Sequence, residues 1–145
     1  MNFAEAASAV GLATLTVRPL DTSVAQALSD LPVMATPSLA NLFEGACTAA
    51  LAEHLEQGET TITVDIQMEQ HSSVGVATEL QAYASCIDLT EMVFTFEIEV
   101  HHLSRLIASG TVKRKLVDRV TYAADRKSTR LNSSHTDISR MPSSA

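Results

Sequence analysis

The chain has 145 residues, 46% of them hydrophobic and 19% charged, with a mean hydropathy of +0.11, which is a length for one domain and a composition too apolar for disorder. Ten Lys and Arg stand against seventeen Asp and Glu, a net charge of -7, and an acidic chain is a poor ligand for a phosphate backbone. No stretch approaches 18 uninterrupted apolar residues, so no membrane-spanning helix is expected, and a leader without cationic residues predicts a cytoplasmic protein with Cys47 and Cys86 reduced.

In chain order, the first expected element is a strand over Ala13 to Arg18, followed by Pro19 and a short helical turn from Thr22 to Leu28. The segment Thr36 to Leu55 then places Leu39, Leu42, Phe43, Ala46, Cys47, Ala50, Leu51 and Leu55 on the i, i+3, i+4, i+7 template of an amphipathic helix of about five turns. Thr36 is its expected N-cap, Pro37 its first helical residue and Gly58 its stop. Its alanines make it nearly apolar all round, as suits a helix enclosed by a sheet.

Beyond Gly58 the period changes to two. Ile62, Val64, Ile66 and Met68 alternate with Thr61, Thr63, Asp65 and Gln67, which predicts a strand over Thr60 to Met68. A second runs from Val76 to Ile87, with Val76, Thr78, Leu80, Ala82 and Ala84 on one face. In the third, Met92, Phe94, Phe96, Ile98 and Val100 alternate with Thr95, Glu97, Glu99 and His101. The last runs from about Arg105 to Val117 through Gly110, where a bulge or a close backbone approach is expected. The short turns Asp88 to Glu91 and His102 to Ser104 read as an antiparallel meander. A strand, a long apolar helix and four one-faced strands are best satisfied when the sheet wraps around the helix. This is the α+β hot-dog fold, and by fold analogy such units pair edge to edge, so a homodimer or a dimer of dimers is expected.

From Asp125 the composition changes: residues 125–145 hold four of the ten basic residues and six serines, with no apolar period. A codon string that spells Asp125 to His135 resembles a common sequencing-library adapter read in one frame. The expected organisation is therefore a domain over residues 1–124 and a disordered, non-native tail over 125–145. Without the tail, six basic residues face fifteen acidic ones.

Several residues can carry chemistry. Glu44 interrupts the alanine-rich helix, either on a solvent-facing seam or as a functional carboxylate. Thr36 lies eight residues before it, on roughly the same side of the helix. His71, in the loop after Met68, carries an imidazole, a group able to act as general base or acid. His101 and His102 point to opposite faces of a strand and cannot clasp one metal. Cys47 reads as a buried thiol. Phosphate loops, Cys-x-x-Cys pairs and Gly-x-Ser-x-Gly elbows are absent, and no metal or cofactor is expected.

The run DTSVAQALSDLPVMATPSLANLFEGACTAAL, Asp21 to Leu51, resembles the hot-dog thioesterase family typified by fluoroacetyl-CoA thioesterase, with a Thr just before the helix and a Glu eight residues on. VDIQMEQHSSVG and LIASGTVKRKLVD are similar to two of the family's strands, with Gly75, Gly110 and Arg114 at matching places. The resemblance implies hydrolysis of an acyl-coenzyme A by a Thr, a Glu and a His. Thr36 and Glu44 take the first two parts; the family's His position falls on Met68, and His71, three residues later, is the candidate for the third. It also implies that a glycine early in the same strand is replaced by Thr61 or a neighbour. Arg105, Lys113, Arg114 and Lys115 are the cations available to the anionic coenzyme. The expected activity is thioester hydrolysis of a small or medium acyl-CoA; the alternative is a non-catalytic hot-dog protein that binds acyl-CoA or another acyl ligand.

Overall fold

A computed structural model describes residues 1–125; the tail expected over 125–145 lies, apart from Asp125, outside the described residues. The elements are α1 (Phe3–Ala6), β1 (Val10–Thr16), a 3-10 turn (Pro19–Asp21), α2 (Thr36–Leu51), β2 (Glu59–Gln70), β3 (Glu79–Thr90), β4 (Val93–His102) and β5 (Arg105–Asp118), and residues 119–125 are helical. The strands form one antiparallel sheet in the order β1-β3-β4-β5-β2. The meander is therefore β3-β4-β5, and β2 pairs with β5 at the far edge instead of with β3.

The apolar face of β4 is as expected: Phe94, Phe96, Ile98 and Val100 are completely buried, as are Leu80 and Ala82 of β3 and Phe43, Ala46 and Cys47 of α2. A Cβ added to Gly11 of β1 would stand 2.4 Å from the Ala50 amide nitrogen and 2.5 Å from the Ala46 carbonyl oxygen. Glycine on the strand and alanine on the helix thus let the two backbones approach closely.

Four expectations are corrected. The helix begins one residue differently, with Ala35 as its N-cap and Thr36 already helical, because bridges Thr22↔Met34 and Val33↔Gly75 keep the preceding chain extended and the Ala35 N-H donates to the Asp21 carbonyl at 2.7 Å. It ends at Leu51 rather than Leu55, where the His54 N-H closes a turn on the Leu51 carbonyl at 2.9 Å. It is enclosed on one side only: Asn41, Gly45, Thr48 and Ala49 are exposed, since one five-stranded sheet covers one helix face. The Thr22 to Leu28 segment forms turns, and the helical turn precedes it at Pro19–Asp21.

The alternation of β2 is also broken. The register with β5 shifts between Thr63 and Asp65, a bulge that adds a residue and flips the facing of the strand. Beyond it Ile66 and Met68 pack against the core as expected, but before it the inward residues are Thr61 and Thr63, while Val64 is 50% exposed. The close approach expected at Gly110 is present, opposite Met68.

Candidate active site

Glu44 sits at the margin of the buried face of α2, where the helix meets β2 and β5. Its neighbour is Arg114, which shares the inner face of β5 with Ala108, Gly110 and Val112, since these four residues pair in turn with the inward Phe94, Phe96, Ile98 and Val100 of β4. The Arg114 side chain is 12% exposed and the Glu44 side chain 41%. Arg114 Nη1 donates to Glu44 Oε1 at 3.2 Å and to Thr63 Oγ1 at 2.6 Å. Nε and Nη2 donate to Thr61 Oγ1 at 3.2 and 3.0 Å, and Nη2 also to the Thr61 carbonyl at 3.1 Å. Thr63 Oγ1 in turn donates to Glu44 Oε1 at 2.5 Å.

The guanidinium can only donate, so these bonds leave it satisfied in a half-closed site. Glu44 Oε1 takes every side-chain bond that Glu44 receives among the described residues, and Oε2 takes none. A carboxylate anchored by one oxygen, with the other left open, is oriented to accept a proton or to attack a carbonyl.

Thr36 stands in the first turn of the same helix, exposed, and about 12 Å along the axis from Glu44. His71 lies elsewhere. Its Nε2 is 2.9 Å from Ser109 Oγ and 3.9 Å from Glu69 Oε1, and its N-H donates to the Ile107 carbonyl at 2.7 Å. Ser109 is five residues from Arg114 on β5 and so points to the opposite face of the sheet. Within one chain the structure brings Glu44 and Arg114 together and does not bring His71 to them. Met68, at the position that the resemblance assigns to the histidine, packs its apolar side chain against the core.

Lys113 and Lys115 are exposed on the outer face of β5, and Arg105 is exposed at its start. Among the described residues no group of three or more His, Cys, Asp or Glu side chains is placed to hold a metal ion, and no helix is long and apolar enough to cross a membrane. In the sequence Arg114 reads as a position matching the family and as a cation available to the coenzyme, and Thr63 as a polar residue on the face opposite Ile62, Val64, Ile66 and Met68. The signal for Arg114 was its place in the even-numbered series Ala108, Gly110, Val112.

Burial pushes the Cys47 thiol up to about 12, against a smaller lowering by Arg114. This folded value lies above that of the unfolded thiol, about 8.5. The stability that Cys47 contributes is intact below that pH and is lost as pH rises toward 12, with a slope of at most about 1.4 kcal/mol per pH unit. Urea unfolding between pH 8 and 11 is expected to show a shallower alkaline decline for Cys47→Ala than for the parent, and native Cys47 is expected to resist iodoacetamide at pH 8.

The sheet curled on a single long helix is shared with hot-dog thioesterases of known structure. The fluoroacetyl-CoA thioesterase FlK superposes with a TM-score of 0.76 at 20% identity, over 83% of this chain and 94% of that one. A hypothetical Thermus thermophilus protein described as a thioesterase superfamily member gives 0.79 at 18% identity, over 86% and 93%. A hot-dog-like protein from Thermanaerovibrio acidaminovorans gives 0.79 at 15%, over 90% and 97%. No curated protein matches the chain by sequence. The family model of the fluoroacetyl-CoA-specific thioesterase matches residues 17–120, and the chain belongs to that family.

Proposed function

We propose that the protein hydrolyses a small or medium acyl thioester of coenzyme A to the free acid and the thiol, with Glu44 as the hydrolytic carboxylate. The observation that carries this reading is the arrangement of Glu44: Oε1 is held by Arg114 and Thr63, while Oε2 is open. Oε2 takes a proton from a water molecule as the water oxygen bonds to the thioester carbonyl carbon. The tetrahedral intermediate collapses with cleavage of the C–S bond, and the same proton passes to the departing sulfur. Arg114 keeps a positive charge beside the carboxylate throughout.

Thr36, about 12 Å away along the helix, is within the span of an extended acyl-thioester arm. Its part is to orient substrate at the positive end of α2. The reading is supported by FlK structures solved in complex with acetyl-CoA and with fluoroacetate and CoA. The protein acts as a homodimer: β2 is a terminal strand of twelve residues, and the backbone N-H and C=O groups along its outer edge are suited to pairing with a second copy. Thiol release from a panel of short and medium acyl-CoAs tests the function. Saturable turnover of at least one member is expected, whereas saturable coenzyme A binding without turnover of any would establish a non-catalytic acyl-ligand protein instead.

A further inference from the structure

The bulge in β2 places a hydroxyl where uninterrupted alternation would place an apolar side chain. Were the inward set Ile62, Val64, Ile66 and Met68, nothing polar on β2 would reach Glu44; the register shift between Thr63 and Asp65 turns Thr61 and Thr63 inward instead. Thr63 Oγ1 accepts from Arg114 Nη1 at 2.6 Å. Arg114 has no acceptor, so the single hydroxyl proton of Thr63 is directed to Glu44 Oε1, at 2.5 Å.

Arg114 meets Glu44 through one nitrogen at 3.2 Å, not as a two-pronged fork. Such a contact sets the separation of the groups but leaves the carboxylate free to rotate about its own axis. The second, shorter bond from Thr63 removes that freedom.

We propose that Thr63 is a positioning residue: with Arg114 it pins Glu44 Oε1 and so presents Oε2 alone to the thioester. The inference rests on the reading of Glu44 as the hydrolytic carboxylate. Thr61 has a different part, since both of its acceptor atoms are taken by Arg114 and none of its bonds reaches Glu44.

Thr63→Val keeps the shape and deletes the hydroxyl, and Thr63→Ser keeps the hydroxyl. On the acyl-CoA turned over best, Thr63→Val is expected to lower kcat about 10-fold or more, with KM within about twofold, while Thr63→Ser stays within about threefold of the parent. Thermal unfolding of each variant shows that the loss is not one of folding, and Thr63→Ala serves if the valine variant is unstable. Parental kcat in Thr63→Val or Thr63→Ala while Glu44→Gln is inactive would overturn the role of Thr63 and leave that of Glu44 standing. Equal losses in the serine and valine variants would overturn it too, since packing alone would then account for both. Parental turnover in Glu44→Gln would instead overturn the reading on which the role rests.

Discussion

Glu44→Gln is expected to lower thioester turnover on the order of 10³-fold, the usual contribution of a positioned general base. The substitution keeps the side-chain volume, and its amide oxygen can still accept from Arg114 and Thr63, so the local packing survives. What is lost is the open, basic Oε2. Melting temperature and coenzyme A affinity should stay close to those of the parent while kcat collapses. A glutamate that served only as the surface partner of Arg114 would behave otherwise: its replacement would cost about 1 kcal/mol or less of stability and leave turnover unchanged.

The largest effect on stability is expected at Gly110. A Cβ there would stand 1.9 Å from the Gln67 carbonyl oxygen, 2.9 Å from its carbon and 3.1 Å from Met68 Cα. All three are backbone atoms of the paired strand and cannot swing aside. Gly110→Ala must push β2 away from β5, and it is expected to destabilise the domain by about 3 kcal/mol or more. At this size that is a fall in Tm of about 10 °C. Gly45 is the internal control: it lies exposed in α2, and an added Cβ would meet nothing closer than Ala13 Cβ at 3.7 Å. Gly45→Ala should therefore raise stability by about 0.5 to 1 kcal/mol through helix propensity. Thermal unfolding of the two variants beside the parent checks both signs at once.

Much of this arrangement is legible from the amino acids. Phe94, Phe96, Ile98 and Val100 state both the period and the inward face of β4, because nothing interrupts that strand. Leu39 through Leu51 likewise state the buried stripe of α2, and Leu55 continues the spacing past the true end of the helix, beyond the point where the chain turns toward β2. The site is harder to read. In β2 the series Ile62, Val64, Ile66, Met68 looks like one face, and a bulge, which depends on pairing with β5, has no mark of its own in a single strand. Without the bulge Thr61 and Thr63 look solvated, and Arg114, flanked by Lys113 and Lys115, looks like part of a basic surface. Thr36 and Glu44 were legible as positions but not as a geometry, because eight helical residues give a direction and a separation without a partner. His71 was visible as a titratable group near the right stretch of chain, but its facing depended on its contact with Ser109 across β5.

The proposed hydrolysis takes place on the inner face of the sheet, at Glu44, Arg114 and Thr63, with His71 on the outer face beside Ser109. The most direct test is the rate of thiol release by His71→Ala on the acyl-CoA that the parent turns over best. A kcat within about twofold of the parent is the predicted result, since the imidazole is held against Ser109, whose side chain points to the sheet face opposite Arg114. A loss approaching that of Glu44→Gln would contradict the account and put the histidine in the site.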